Sequence, residues 1–207
     1  MKPIKSILVL AIILGATGVA GAQGYYGGGY GPPPLPGGFH NRMGRLAWGF
    51  SVGIGGMHDN GSGITACDNC DYNPVAFEGD FHLGGFITPR LALLGEFQVN
   101  AQTVHSDAID GDTILNQGAI MLAAQYWLTP QLWVKGGLGF ADLQASDSVG
   151  DNWDFGGGVA IMGAVGFELL SSRRFALDLQ GRIIEGEYNS SEDHITSGTV
   201  GLGFNWY

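Results

Sequence analysis

The sequence predicts an all-β chain, an eight-stranded antiparallel up-and-down transmembrane β-barrel, and three observations carry that reading. Apolar residues alternate with Gly or polar ones from Leu46 to Tyr207, the period of two that belongs to strands. Short turns alternate with long polar loops over an even number of strands. Acidic and basic residues collect at opposite ends of the predicted strands.

The elements in order begin with export. Lys2 and Lys5 precede an apolar run from Ile7 to Leu14, and Ala20-Gly21-Ala22 supplies the small residues of a cleavage site, so residues 1–22 read as a signal peptide. That run is too short for a helical span, and no later stretch approaches the roughly 20 apolar residues such a span needs. Residues 23–44, rich in Gly, Tyr and Pro and without periodicity, read as a flexible leader. The barrel is expected over 45–207. Across the 207 residues, 37 glycines with only 14% charged residues are unusual for a soluble globule.

Strand one places Trp48, Phe50, Val52 and Ile54 on one face and Ala47, Gly49, Ser51 and Gly53 on the other. Strand two sets Phe77, Phe81 and Leu83 against Glu78, Asp80 and His82, and strand three sets Leu93, Phe97 and Val99 against Glu96, Gln98 and Asn100. Strand four, about Ile114 to Trp127, is apolar on both faces, so its phase stays open. Strand five opposes Leu132, Val134, Leu138 and Phe140 to Lys135, Gly137 and Gly139, and strand six opposes Val159, Ile161, Val165 and Phe167 to Ala160, Met162 and Glu168. Strand seven opposes Phe175, Leu177, Leu179 and Ile183 to Asp178, Gln180 and Arg182; strand eight opposes Val200, Leu202, Phe204 and Trp206 to Gly201, Gly203 and Asn205.

Short turns fall at Thr88-Pro89-Arg90, at Leu128-Thr129-Pro130-Gln131 and over 170–174, and long loops are expected near 58–74, 101–113, 142–154 and 186–195. The long loops and their strand ends collect fourteen acidic residues and no Lys or Arg, whereas Arg42, Arg45, Arg90, Arg173 and Arg174 sit at the leader or short-turn end. Trp48, Trp127, Trp133, Phe175 and Trp206 lie near that same end, where an interfacial aromatic girdle is expected.

This pattern resembles the small eight-stranded outer-membrane proteins, the class of the OmpA transmembrane domain, OmpX and OmpW, over about residues 45–207. The Thr-Pro turns in FITPRLALL and YWLTPQLWV carry the resemblance, as does the C-terminal GLGFNWY, which is similar to the aromatic last-strand signal read by the barrel-insertion machinery. The resemblance implies an outer-membrane location, outer-membrane lipid, lipopolysaccharide and the insertion machinery as partners, and an insertion signal at Phe204, Trp206 and Tyr207. In that family the terminal residue usually shares the phase of the outward aromatics; here Tyr207 lies outside it.

The residue chemistry points to a non-enzymatic barrel without cofactor. Glu78, Asp80, His82, Glu96, Lys135, Glu168, Asp178 and Arg182 share the predicted inner faces, where charges in a narrow barrel must pair or be hydrogen-bonded. A polar plug is expected, centred on Glu78, His82, Glu96, Lys135, Asp178 and Arg182, because eight strands enclose little more than their own side chains. Cys67 and Cys70 lie in the first long loop, where export permits a disulfide; free thiols, or a metal or redox role with His58 as a further ligand, are the alternatives. Asp107, Asp110 and Asp112, and Asp147, Asp151 and Asp154, are candidate ligands for divalent cations, with solvated acidic loops as the plainer reading. His105-Ser106 and the group Ser190, Ser191, Asp193, His194 and Ser197 offer scattered nucleophile chemistry, which leaves a lipid A-modifying enzyme as an alternative. A soluble lipocalin-like barrel with its apolar faces inward is a third reading. Loss of Lys2 and Lys5 takes the formal charge from −10 to −12, which argues against a nucleic-acid partner.

Overall fold

The computed structural model describes residues 38–59, 62–63, 75–106, 111–147, 152–188 and 194–207. Eight antiparallel strands form the wall: β1 (Leu46–Asp59), β2 (Ala76–Thr88), β3 (Leu91–Ser106), β4 (Gly111–Trp127), β5 (Leu132–Asp147), β6 (Asn152–Ser171), β7 (Phe175–Tyr188) and β8 (His194–Trp206). Each pairs with its chain neighbour, and β1 also pairs with β8 from Trp48↔Trp206 to Asp59↔Ile195, which closes the sheet into a barrel. Ser62–Gly63 adds a two-residue return on the end of β1. No described residue is helical.

The period-two pattern translates directly into an inside and an outside. Val52, Ile54, Phe77, Leu122, Leu138, Phe140, Ile161 and Ile183 are among the large apolar side chains left exposed on the outer wall. Inside lie Glu78, Asp80, His82, Glu96, Gln98, Lys135, Asp178 and Arg182, all buried. A lipocalin-like barrel would need the reverse, so the soluble alternative does not fit this polarity. The open phase of strand four is resolved: Gln117, Ala119, Met121, Ala123 and Gln125 face inward, and Ile120, Leu122 and Tyr126 face outward.

Three expectations are corrected. Strands β3 to β8 run further into the loops than predicted, pairing as far as Ser106↔Gly111, Ser146↔Asn152 and Glu187↔His194. Near the loop end the outer face ceases to be apolar while the ladder continues, so a reading tuned to outward apolar residues stops too early. Inward Val104, Leu143, Ala145 and Ile195 keep the alternation going there.

The aromatic girdle is smaller than expected. Trp48 and Trp206 are outside, but Trp127 and Trp133 are buried within the barrel, because Trp133 shares the inward phase of Lys135 and pairs directly with Trp127.

The leader reading through residue 44 includes Phe39 and Arg42, and both are buried against the short-turn end of the barrel. Arg42 is drawn there by a buried carboxylate and a ring of aromatic faces.

Two local features aim the inner side chains. A β-bulge between Glu168 and Leu170 keeps Glu168 inside while leaving Leu169 and Leu170 both exposed. Gly166 lies directly across from Trp133, and a Cβ there would collide with the indole ring, so this glycine is the space that the ring fills.

Candidate functional site

The buried inward side chains group into three tiers. The lowest, at the short-turn end, is built on Glu168, which β6 holds at 0% exposure. Arg42 donates to both of its carboxylate oxygens, at 2.9 and 3.0 Å, in the forked geometry that makes such pairs strong. The Trp127 indole donates to the same carboxylate at 2.8 Å, as do the Tyr207 hydroxyl at 3.3 Å and the Ser171 hydroxyl. The Arg42 guanidinium also lies 3.8 Å from the Tyr207 ring centroid and 5.5 Å from that of Trp127, within cation–π range. Beside it Arg90 covers the Phe39 ring at 3.8 Å. His40, next to this floor, is held below the ordinary histidine range, first by partial burial and then by Arg42.

The middle tier carries most of the charge. Arg182 on β7 lies 3.1 Å from Glu78 and 3.2 Å from Asp80, both on β2, and donates to Gln98 at 2.7 Å. Thr199 donates to Glu78 at 3.1 Å, and the His82 ring lies 3.1 Å from Asp80. Lys135 on β5 pairs with Glu96 on β3. Asp178 accepts from the Trp133 indole and from Asn205, each at 3.0 Å. Arg182 and Lys135 reach carboxylates on strands they do not pair with, and the side chains lie between 0% and 1% exposed in these pairs.

The upper tier is neutral. Ser197 donates to Gln117 at 2.7 Å, Asn100 to Ser197 at 2.9 Å, and Gln117 to the Tyr188 hydroxyl at 2.9 Å. Gln102 accepts from the Met57 backbone N–H at 2.8 Å, and Met57, Ile184 and Ile195 are buried.

All six residues singled out for the plug, Glu78, His82, Glu96, Lys135, Asp178 and Arg182, therefore lie inside. They do not form one cluster: Glu78 and His82 meet around Arg182 and Asp80, Lys135 joins Glu96, and Asp178 is held by neutral donors. Arg42, Trp127, Trp133 and Asn205 were missed as members. The inward phase shared by Trp133 and Lys135 was the available signal for the tryptophan, whereas nothing marks Arg42 within a Gly/Pro-rich segment.

Asp80, His82 and Glu96 offer ligand atoms within 4.8 Å of one another, the arrangement among the described residues that could hold a metal ion. Arg182 and Lys135 already supply cationic partners to its two carboxylates, so the arrangement reads as an ion-pair network. His194 is exposed and Ser197 is buried on the opposite face of β8, so these two do not form a catalytic pair. Cys67, Cys70, Asp107, Asp110, Asp151, Ser190, Ser191 and Asp193 lie outside the described residues, and the side chains of His105, Ser106, Asp112 and Asp147 are not described. At the C-terminus Trp206 stacks on Trp48 at 4.5 Å and Phe204 on Phe50 at 5.0 Å along the outer wall, whereas Tyr207 turns under the barrel onto Arg42.

No protein-family model matches the chain, and no curated protein is similar to it in sequence. Among solved structures it resembles Ail, the attachment invasion locus protein of Yersinia pestis, with a TM-score of 0.51 and 12% identity over 77% of this chain and 97% of that one. It also resembles Neisserial surface protein A, with a TM-score of 0.53 and 12% identity over 78% of this chain and 95% of that one. The fold is thus that of the small eight-stranded outer-membrane barrels.

Proposed function

We propose that the chain is a non-enzymatic outer-membrane barrel whose interior is plugged and whose loop end presents an acidic surface to the exterior. It would serve envelope structure, surface interaction or cation binding. The observation that carries this reading is the polarity of the wall: large apolar side chains outside, and buried, hydrogen-bonded polar side chains inside. A wall of that polarity is stable where its outside meets hydrocarbon. The similarity in fold to small outer-membrane barrels supports the same location. An exported precursor with a signal over residues 1–22, and contacts with outer-membrane lipid, lipopolysaccharide and the insertion machinery, follow from that location.

At the loop end Asp154, Glu185 and Glu187 are exposed and Asp59 and Asp142 are half-buried, so the described part of this surface is acidic. Acidic side chains at that level suit divalent cations, which also bridge the phosphates of lipopolysaccharide. Reconstitution of the full mature barrel into planar bilayers tests the plug. The expected result is insertion without ion conductance; steady single-channel steps would overturn it.

A further inference from the structure

At the short-turn end, three strands set aromatic residues side by side on the outer wall, and basic residues precede two of them in the chain. Trp206 of β8 lies between Trp48 of β1 and Phe175 of β7, with ring centroids 4.5 and 5.3 Å away. Arg174 immediately precedes Phe175, Arg173 precedes it by two residues, and Arg45 precedes Trp48 by three, about 10 Å along an extended chain.

Two hydrogen bonds to backbone carbonyls tie these segments together. Arg45 donates from its guanidinium to the Arg173 carbonyl at 2.9 Å, and the Tyr207 backbone N–H donates to the Arg174 carbonyl at 2.9 Å. Arg173 and Arg174 are exposed, Arg45 is half-buried, and the Arg45 fork keeps further N–H donors beyond the one used. Among the described residues no side-chain carboxylate is exposed at this end, since Glu168 and Asp178 are both buried in the lumen.

We infer that this seam is a binding site for an anionic phospholipid, a phosphatidylglycerol-class lipid of the periplasmic leaflet, with its phosphate on Arg45, Arg173 and Arg174 and its glycerol and upper acyl chain against Trp48, Trp206 and Phe175. The inference rests on the membrane reading above. The juxtaposition selects the ligand. An acidic polysaccharide would satisfy the arginines and leave the aromatic shelf unused, and a zwitterionic lipid would bring a compensating ammonium. An amphiphile that carries net negative charge at the boundary between headgroup and hydrocarbon fits both halves. Arginine also favours phosphate over a point-charge partner, because its planar fork matches two phosphate oxygens.

The test uses the full mature barrel folded into phosphatidylcholine vesicles in which a fixed fraction of lipid is brominated phosphatidylglycerol or brominated phosphatidylcholine. Trp48 and Trp206 report contact through quenching of their emission. Each arginine near the surface is worth roughly fivefold in anionic-lipid affinity, so phosphatidylglycerol should be preferred at least fivefold, and R45Q/R173Q/R174Q should bring the preference to about one. Equal quenching by the two lipids in the unaltered protein refutes the site, as does a preference that survives the triple substitution. If the triple variant fails to insert, R174Q alone must lower the preference at least twofold, and no change refutes the proposal. An unaltered chain that neither inserts nor shows a heat-dependent gel shift refutes the membrane reading itself, which separates the two failures.

Discussion

Replacing Arg182 with Met removes the cation that serves two buried carboxylates. Arg182 lies 3.1 Å from Glu78 and 3.2 Å from Asp80 and donates to Gln98 at 2.7 Å, with its side chain 1% exposed. Met fills much of the same volume, so packing is largely kept and the loss is electrostatic. Breaking a buried pair by removing one partner costs about 3–5 kcal/mol, because the remaining charge stays buried without compensation. Thr199 and Ser51 still contact the carboxylates but supply no positive charge. At about 2–4 °C per kcal/mol for a barrel of this size, the melting temperature should fall by roughly 10 °C. The assay is the temperature at which the compact band on an unheated gel converts to the unfolded one, checked by circular dichroism in the same detergent. R182M/E78Q removes one of the two stranded charges and should recover about half of the loss. An unchanged melting temperature in R182M, or no recovery in the double variant, would refute the claim that this tier is held by charge compensation.

The other outcomes follow from neighbouring tiers. G166A drives a Cβ into the Trp133 ring and should cost about 1–3 kcal/mol by overpacking, whereas G163A, where a Cβ meets nothing within 4 Å, should leave the melting temperature nearly unchanged. W133F strands Asp178 with Asn205 as its remaining donor and should cost about 1–3 kcal/mol in urea titrations; equal stability would show that the indole hydrogen bond is not needed. In variants that keep a single tryptophan, Trp48 and Trp206 should be quenched by brominated lipid while Trp127 and Trp133 are not, and strong quenching of Trp133 would contradict its place in the lumen. R42A leaves Glu168 buried with neutral donors alone, so the barrel should melt earlier, and a melting temperature equal to that of the unaltered chain would mean that the segment before β1 contributes nothing to the floor.

The wall was readable because it obeys one rule. Wherever outward apolar residues such as Phe77, Leu138 or Ile183 alternate with inward ones such as Glu78, Gly139 or Arg182, the period of two defines both strand and face. β4 escaped because its inward positions are Ala119, Met121 and Ala123, apolar residues that a lumen accepts when larger polar chains from other strands fill it. The strand ends escaped because polar residues such as Thr103, Gln144 and Glu187 enter the outer face there.

The inner site was legible as a set and illegible as a network. Period two puts Lys135, Glu96 and Arg182 inside, but whether Lys135 reaches Glu96 or Asp178 depends on the stagger of strands around the barrel, which sequence spacing does not contain. Trp127 and Trp133 were assigned to the girdle from their position along the strand, and phase, the better criterion, puts them in the lumen. Arg42 depends on long-range contacts with Glu168, Trp127 and Tyr207, all more than 80 residues away in the chain, and no local pattern announces it.

A closed barrel in the outer membrane is tested by fractionation of expressing cells followed by electrophoresis of the membrane fraction, unheated and boiled. The protein should appear in the outer-membrane fraction and migrate differently in the two samples, as a barrel that detergent alone does not unfold. A soluble periplasmic protein with identical mobility before and after boiling would contradict it.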